Sequence, residues 1–137
     1  MSKDKMVGIA VFLLRVVAGI IFIQNGGLKL FEWFGGMPAG YEATGIILVA
    51  GILEFVGGIA ILLGLFTRPV AFVLSGQMAV AYFIGHVATS GHFFVPLMNQ
   101  GQPAVLLCFI FLFLAAYGPG YWSADEMWAH RNQNNLV

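Results

Sequence analysis

Three polar side chains that could take part in chemistry stand inside long apolar runs: Arg15, Glu54 and Gln77. An unpaired charge in hydrocarbon costs at least a few kcal/mol, so Arg15 and Glu54 each need a partner. At a helix rise of about 1.5 Å per residue, Arg15 and Gln77 lie about 12 Å, and Glu54 about 18 Å, from one side of a membrane. We therefore expect a buried layer in which Arg15 pairs with Glu54 and Gln77 assists. Glu54 is also the candidate catalytic residue, as a proton acceptor, and the sequence leaves the structural and the catalytic role open.

A second group of polar and aromatic side chains falls toward the opposite side of the same runs. Counted in the same way, Gln24 and His86 both lie about 25 Å from the first side. Histidine, lysine and amide groups around an apolar opening suit the carbonyls of a quinone or the head of a lipid. The same residue types also serve as interfacial anchors and helix caps without any ligand. The candidate binding residues are Gln24, Asn25, Lys29, Trp33 and His86.

Other site chemistries fit the sequence poorly. His86 and His92 are six residues apart with no cysteine near them, and His130 falls on the opposite side, so we expect no metal or haem site. Cys108 is the single cysteine, which excludes an internal disulfide. Lys and Arg number 6, as do Asp and Glu, so there is no basic field for nucleic acid. We expect no intrinsic cofactor, and the sequence does not decide whether the chain is an enzyme.

The elements that must position these residues are transmembrane helices. The chain has 137 residues, of which 60% are hydrophobic and 9% are charged, whereas globular domains carry roughly 25% charged residues. The apolar runs predict an all-α integral membrane four-helix bundle within a single membrane domain of residues 1–128. Its four spans are predicted at about 7–24, 44–66, 69–86 and 100–118, with an outer amphipathic segment at 28–41 and a flexible polar tail at 129–137.

The distribution of cations predicts the orientation of the bundle. Lys3, Lys5, Arg68 and Arg131 fall on one side of the predicted spans, and Lys29 falls on the other. Cytoplasmic segments of membrane proteins are enriched in Lys and Arg. We therefore expect an even number of crossings, with both the N- and the C-terminus in the cytoplasm.

Four segments of the sequence resemble a known family. They read LLRVVAGIIFIQNGGLKLFEWFGG at 13–36, GILEFVGGIAILLGLFTRPVA at 51–71, MAVAYFIGHV at 78–87 and YGPGYWSAD at 117–125. Together they are similar to the DoxX family of small four-helix bacterial and archaeal membrane proteins, over nearly the whole chain. The most specific matches are Arg15, Lys29 with Gly26 or Gly27, Glu54 with Gly57 and Gly58, the turn 64–68, and His86. Gln24 and Asn25 stand where family sequences often carry a histidine.

The resemblance implies a multi-pass protein of the bacterial or archaeal inner membrane. The family is named for a subunit associated with a thiosulfate:quinone oxidoreductase and a terminal quinol oxidase, and other members are thought to assemble with redox-defence partners. It therefore implies an accessory or quinone-interacting subunit of a membrane redox system, surrounded by lipid and by partner subunits. Two alternatives stay open: a non-catalytic scaffold or assembly partner, and a small carrier that binds a lipid or a solute.

Overall fold

The computed structural model describes residues 1–42 and 44–134, and every regular element in that part of the chain is helical. A 3-10 turn, Trp33–Gly35, follows the first helix, and the third helix contains a π-helical stretch, Ala81–Val87. The prediction of an all-α fold is confirmed. The five helices are α1 (Lys3–Phe31), α2 (Gly45–Leu63), α3 (Thr67–Ser90), α4 (Gln102–Tyr117) and α5 (Ala124–Asn134).

Three of these helices are long and apolar enough to cross a membrane. They are α1 with 29 residues, α2 with 19 and α3 with 24. The helix α4 is also apolar but has only 16 residues, a rise of about 24 Å. It begins two residues later than the predicted start at 100, because Gln100 has a positive φ of 58° and Gly101 is not helical.

The helix α1 continues well beyond its predicted end at 24. It stops at Phe31, where Glu32 adopts a left-handed conformation with φ 56° and donates its backbone N–H to Gly27 O. Part of the predicted amphipathic segment 28–41 therefore prolongs the helix. Gly26 and Gly27 lie within the helix, and Phe55 and the Trp33 ring occupy the space that a side chain at either position would need.

Glycines set the register between the antiparallel helices α1 and α2. A methyl group on Gly19 would lie 2.8 Å from the backbone nitrogen of Leu62, and one on Gly58 would lie 2.7 Å from that of Ile23. A methyl group on Gly26 would overlap the Phe55 backbone. Small residues at such positions let membrane helices approach closely. The register that results aligns the Arg15 level of α1 with the end of α2.

The helices α3 and α4 form a second antiparallel pair. Ser75 Oγ donates to Cys108 O over 2.8 Å and joins the two helices near their middle. Phe22 of α1 meets Phe111 of α4 edge to face, with ring centroids 4.5 Å apart, and both rings are fully buried. The core therefore lies where the α1–α2 and α3–α4 pairs meet.

We call the two ends of the bundle the proximal end and the distal end. The proximal end holds the start of α1, the turn between α2 and α3, and residues 118–123. The distal end holds residues 32–42 and 91–101. The helix α5 follows the proximal end and includes 129–134, where a flexible tail was predicted; residues 135–137 of that tail lie outside the described part of the chain. Ser123 Oγ caps α5 by accepting from Glu126 N over 3.1 Å, which supports a helix there.

Candidate functional site

Lys29, Glu54 and Gln77 meet in the middle of the bundle and are called the central triad. Lys29 Nζ pairs with Glu54 Oε2. Gln77 Nε2 donates to Glu54 Oε1 over 2.9 Å and to Ala50 O over 3.4 Å. Glu54 lies nine residues from each end of α2, or about 13 Å by helix rise. The structure thus brings Glu54 and Gln77 together in a central layer, and the cation beside them is Lys29.

The members of the central triad differ in exposure. The Glu54 side chain is 4% exposed and that of Lys29 is 24% exposed. Side chains of a helix lean toward its N-terminus, so Lys29, near the distal end of α1, leans back toward Glu54. An ammonium group has three donors, and Glu54 accepts from it on one side. Lys29 therefore presents a hydrogen-bond donor whose position is fixed by a buried carboxylate.

Lys29 also lines an open cleft of about 380 Å³ at the distal end. We call it the distal cleft. Its walls come from the last turns of α1 and from the segment that follows, and they combine charged, aromatic and apolar side chains. The side chains lining it include Leu28, Lys29, Glu32, Met37, Tyr41 and Glu42.

The predicted ion pair between Arg15 and Glu54 is wrong. Arg15 is fully buried at the proximal end, where its Nη2 donates to Tyr121 O over 3.3 Å and to Trp122 O over 2.9 Å. The glycine contacts between α1 and α2 shift Arg15 past Glu54, so that its guanidinium packs against Gly64. That shift along α2 is ten residues, or about 15 Å.

Arg15 belongs to a group of contacts that we call the proximal clasp, formed by Arg15, Arg68 and Asp125. Asp125 accepts from Phe66 N over 2.7 Å and from Thr67 N over 2.8 Å. Arg68 donates to the carbonyls of Ala116 and Tyr117 over 2.9 and 3.1 Å, at the end of α4. Through these hydrogen bonds, Arg15 connects α1 to the linker between α4 and α5, and Asp125 connects α5 to the turn between α2 and α3. Sequence reasoning missed Asp125, although an acidic residue in the first turn of a helical segment was a usable signal.

The predicted binding residues do not form one site. Gln24 is exposed on α1 and Asn25 is half-buried. Trp33 packs beside Phe55, with ring centroids 5.7 Å apart. His86 is nine residues beyond Gln77 on α3, about 13 Å further toward the distal end. Of the five residues, Lys29 is the one that lines the cleft, and Trp33 directly follows Glu32, which also lines it.

His86 instead belongs to a hydrogen-bond network around Asn99, which sequence reasoning also missed. His86 Nδ1 lies 3.0 Å from Asn99 O. Asn99 is 6% exposed, and its Nδ2 lies 2.8 Å from His92 O and 3.2 Å from Tyr82 Oη. Tyr82 and His86 both lie in the π-helical stretch of α3, a geometry for which the sequence carries no clear signal. The network supports the loop between α3 and α4.

Metal ligation has no obvious place in the described structure. Across residues 1–42 and 44–134, no three His, Cys, Asp or Glu side chains are grouped so that they could hold a metal ion. At the central triad and the distal cleft, Lys29 offers hydrogen bonding and stabilisation of negative charge.

Comparison with known proteins identifies the family. An uncharacterized protein of Haemophilus influenzae is 44% identical over 115 residues, which cover 82% of this chain and 86% of that protein. The inner membrane protein YqjF of Escherichia coli K12 is 30% identical over 90% of this chain and 95% of its own. The uncharacterized membrane protein Rv3486 of Mycobacterium tuberculosis is 28% identical over 89% and 83%. No solved structure matches the chain.

The family model described as DoxX matches residues 10–87, which is more than half of the chain. This range contains the central triad and two residues of the proximal clasp, Arg15 and Arg68. Together with three apolar helices of membrane-crossing length, the match shows that the chain is a membrane protein that belongs to the DoxX family.

Proposed function

We propose that this protein is an accessory subunit of a membrane redox system and that it holds the head of a quinone in the distal cleft. The observation that carries the proposal is Lys29, a partly exposed cation that lines the cleft and is held by the buried carboxylate of Glu54. A quinone head is an apolar ring with carbonyl oxygens at its edge. It needs an apolar wall and a few fixed donors, which is the usual composition of a small-molecule site.

Three residues of the cleft and two residues of the central triad have roles in this proposal. Lys29 donates to a quinone carbonyl and stabilises negative charge that develops on the oxygen during reduction. Tyr41 and Met37 supply aromatic and apolar surface for the ring. Glu54 holds Lys29 in position, and Gln77 donates to Glu54. Electrons come from a partner protein in this scheme, and the chain contributes binding and orientation.

The proposal includes a placement in the inner membrane with four crossings, in which α4 is the fourth. Lys3, Lys5 and Arg68 lie at the proximal end, and Arg131 lies on α5, which follows it. This distribution supports a cytoplasmic proximal end with both termini. Lys29 lies at the other end of α1, but its ammonium group pairs with Glu54 inside the bundle, so it is a weak exception to the enrichment of cations in cytoplasmic segments. A cysteine introduced at Glu42 should then react with an impermeant reagent from outside the cell, and one at His130 only after the membrane is opened.

Quinone binding can be measured through Trp33, since quinones quench tryptophan fluorescence on contact. The chain has three tryptophans, and the changes Trp122→Phe and Trp128→Phe leave Trp33, next in sequence to the cleft residue Glu32, as the single reporter. Titration with a short-chain ubiquinone in nanodiscs should give saturable quenching. Lys29→Met should weaken the apparent affinity at least tenfold, because it removes the donor to the quinone carbonyl. A tenfold change corresponds to about 1.4 kcal/mol. Tyr41→Ala should weaken it several-fold.

Lys5→Met is the matched control, because it removes a lysine from the first turn of the same helix, at the proximal end. Its affinity should equal that of the parent. Thermal unfolding of each variant separates lost binding from lost folding, and Tyr41→Ala keeps the test open if Lys29→Met does not fold. Equal affinities in the parent, Lys29→Met and Tyr41→Ala would overturn the proposal, as would quenching that does not saturate.

A further inference from the structure

Residues 91–101 form the distal loop, which exposes a continuous apolar run. Residues 93–98 read FFVPLM, and the loop contains no Asp, Glu, Lys or Arg. Phe94 is 87% exposed, Leu97 71% and Met98 59%. Connecting loops in water are usually polar, and a contiguous exposed apolar patch marks a binding surface. The run therefore needs an apolar neighbour outside the chain.

The backbone of the distal loop is tied to buried side chains. Tyr82 Oη donates to Phe93 O over 2.5 Å, and Asn99 Nδ2 donates to His92 O over 2.8 Å. Asn99 Oδ1 accepts from Gly101 N over 2.8 Å. Irregular backbone at membrane depth is tolerated where the protein itself satisfies its polar groups. The contacts of Tyr82 and Asn99 meet this requirement for part of the loop.

Further hydrogen bonds close the loop on itself. Met98 N donates to Val95 O over 2.9 Å, and Gly101 N also points to Pro96 O over 3.0 Å. These turns fold the backbone inward while the side chains of the apolar run face outward. The result is a compact loop with a polar interior and an apolar tip.

The apolar tip is continuous with the membrane-facing surface of α3. Phe83 on that surface is 47% exposed. Its ring centroid lies 5.4 Å from that of Phe93, and the Phe93 ring lies 4.4 Å from that of Phe94. The three rings form a strip that leads from the side of the bundle into the loop. The lipid that surrounds α3 would therefore also contact the loop.

The helix after the loop is short for a bilayer. The 16 residues of α4 rise about 24 Å, whereas the hydrocarbon core is about 30 Å thick. We propose that residues 93–98 insert into the distal leaflet and contact phospholipid acyl chains. The loop and α4 together then provide an apolar surface that spans the hydrocarbon core. This surface is separate from the distal cleft and does not depend on quinone binding.

The test uses purified protein in phosphatidylcholine nanodiscs, with or without brominated acyl chains. Trp33, Trp122 and Trp128 are changed to Phe, and one tryptophan is introduced by Phe94→Trp. Glu42→Trp, on the other distal segment, is the control. Bromine should quench Phe94→Trp several-fold more than Glu42→Trp, because Phe94 contacts acyl chains. Iodide in the buffer should quench them in the opposite order.

Two outcomes would overturn the proposal. Equal quenching of both tryptophans by iodide, with no quenching by bromine, would place the loop in water. Protection of Phe94→Trp from both quenchers would show that protein, such as a second copy of this chain, covers the loop. Leu97→Trp provides a second reporter on the same run if Phe94→Trp does not fold, and it is expected to give the same order.

Discussion

Arg15 and Glu54 are both ionisable groups buried inside an apolar bundle, and their hydrogen-bond partners differ in kind. Arg15 is fully buried and donates to two main-chain carbonyls of the linker between α4 and α5. Glu54 is held by two side chains, Lys29 and Gln77, and Lys29 is partly exposed. The first arrangement is closed, and the second opens onto a cleft.

The difference assigns different roles to the two regions. Main-chain carbonyls cannot move away without unfolding the linker, so Arg15 acts as a fixed connection between α1 and the proximal end. A lysine side chain is flexible and has donors to spare, so Lys29 can bind a ligand while Glu54 still holds it. We therefore expect the proximal clasp to determine stability and the central triad to determine binding.

Arg15→Leu should have the largest effect on stability. It removes two hydrogen bonds from a charged donor and leaves the carbonyls of Tyr121 and Trp122 without that partner. At about 1.5 to 3 kcal/mol for each such bond, the free energy of unfolding should fall by about 3 to 6 kcal/mol. Denaturant unfolding in mixed micelles measures the loss, and the folded fraction should still bind quinone.

Arg131→Leu is the control for this experiment, because it makes the same change at an exposed position of α5. Its effect should be within about 0.5 kcal/mol. A loss of less than about 1 kcal/mol in Arg15→Leu would contradict the role of the proximal clasp.

Gly26→Ala should have an intermediate effect that reaches both regions. The added methyl group would overlap the Phe55 backbone, so α1 and α2 must separate, at about 1 to 3 kcal/mol. Separation also moves Lys29 away from Glu54, and quinone affinity should fall. Gly76→Ala is the matched control, since a methyl group there meets nothing within 4 Å and should stabilise α3 by about 0.5 to 1 kcal/mol. Equal behaviour of the two variants would show that glycine contacts do not set the register.

Gln77→Leu should have the smallest effect. It removes the hydrogen bond to Glu54 Oε1, but Lys29 still neutralises the carboxylate, so the loss should be about 1 kcal/mol. Gln24→Leu, at an exposed amide on α1, should cost nothing measurable in the same unfolding assay. A loss from Gln77→Leu as large as that from Arg15→Leu would remove the distinction between the two regions.

The common level of Glu54 and Gln77 could be predicted from the sequence, but the position of Arg15 could not. The helices α2 and α3 are joined by the three residues 64–66, so counting from the turn gives the relative depth of Glu54 and Gln77. The helices α1 and α2 are joined by 32–44, a longer segment with a 3-10 turn. Their register depends on contacts of Gly19, Gly26 and Gly58, which counting from helix ends does not reveal.

The ends of the bundle show a similar contrast between local and non-local signals. Ser123 and Glu126 follow the spacing of a capping box, and Glu126 Oε2 accepts from Trp122 N over 3.1 Å. This local pattern could have predicted α5 in place of a flexible tail. The contacts of Asn99 with Tyr82 and His92 depend on how the distal loop folds back onto α3. Such contacts lie across the fold and have no short sequence pattern.

The central claim is that Glu54 is paired with Lys29 and not with Arg15. A double-mutant cycle on the free energy of unfolding tests it, with Lys29→Met, Glu54→Leu and Arg15→Leu measured singly and in pairs. The structure predicts a coupling of about 1 to 2 kcal/mol between Lys29 and Glu54, reduced from the fully buried case by the exposure of Lys29. Arg15→Leu and Glu54→Leu should add within about 0.5 kcal/mol, because the two side chains share no partner. Strong coupling between Arg15 and Glu54, with additive effects at Lys29 and Glu54, would contradict the account.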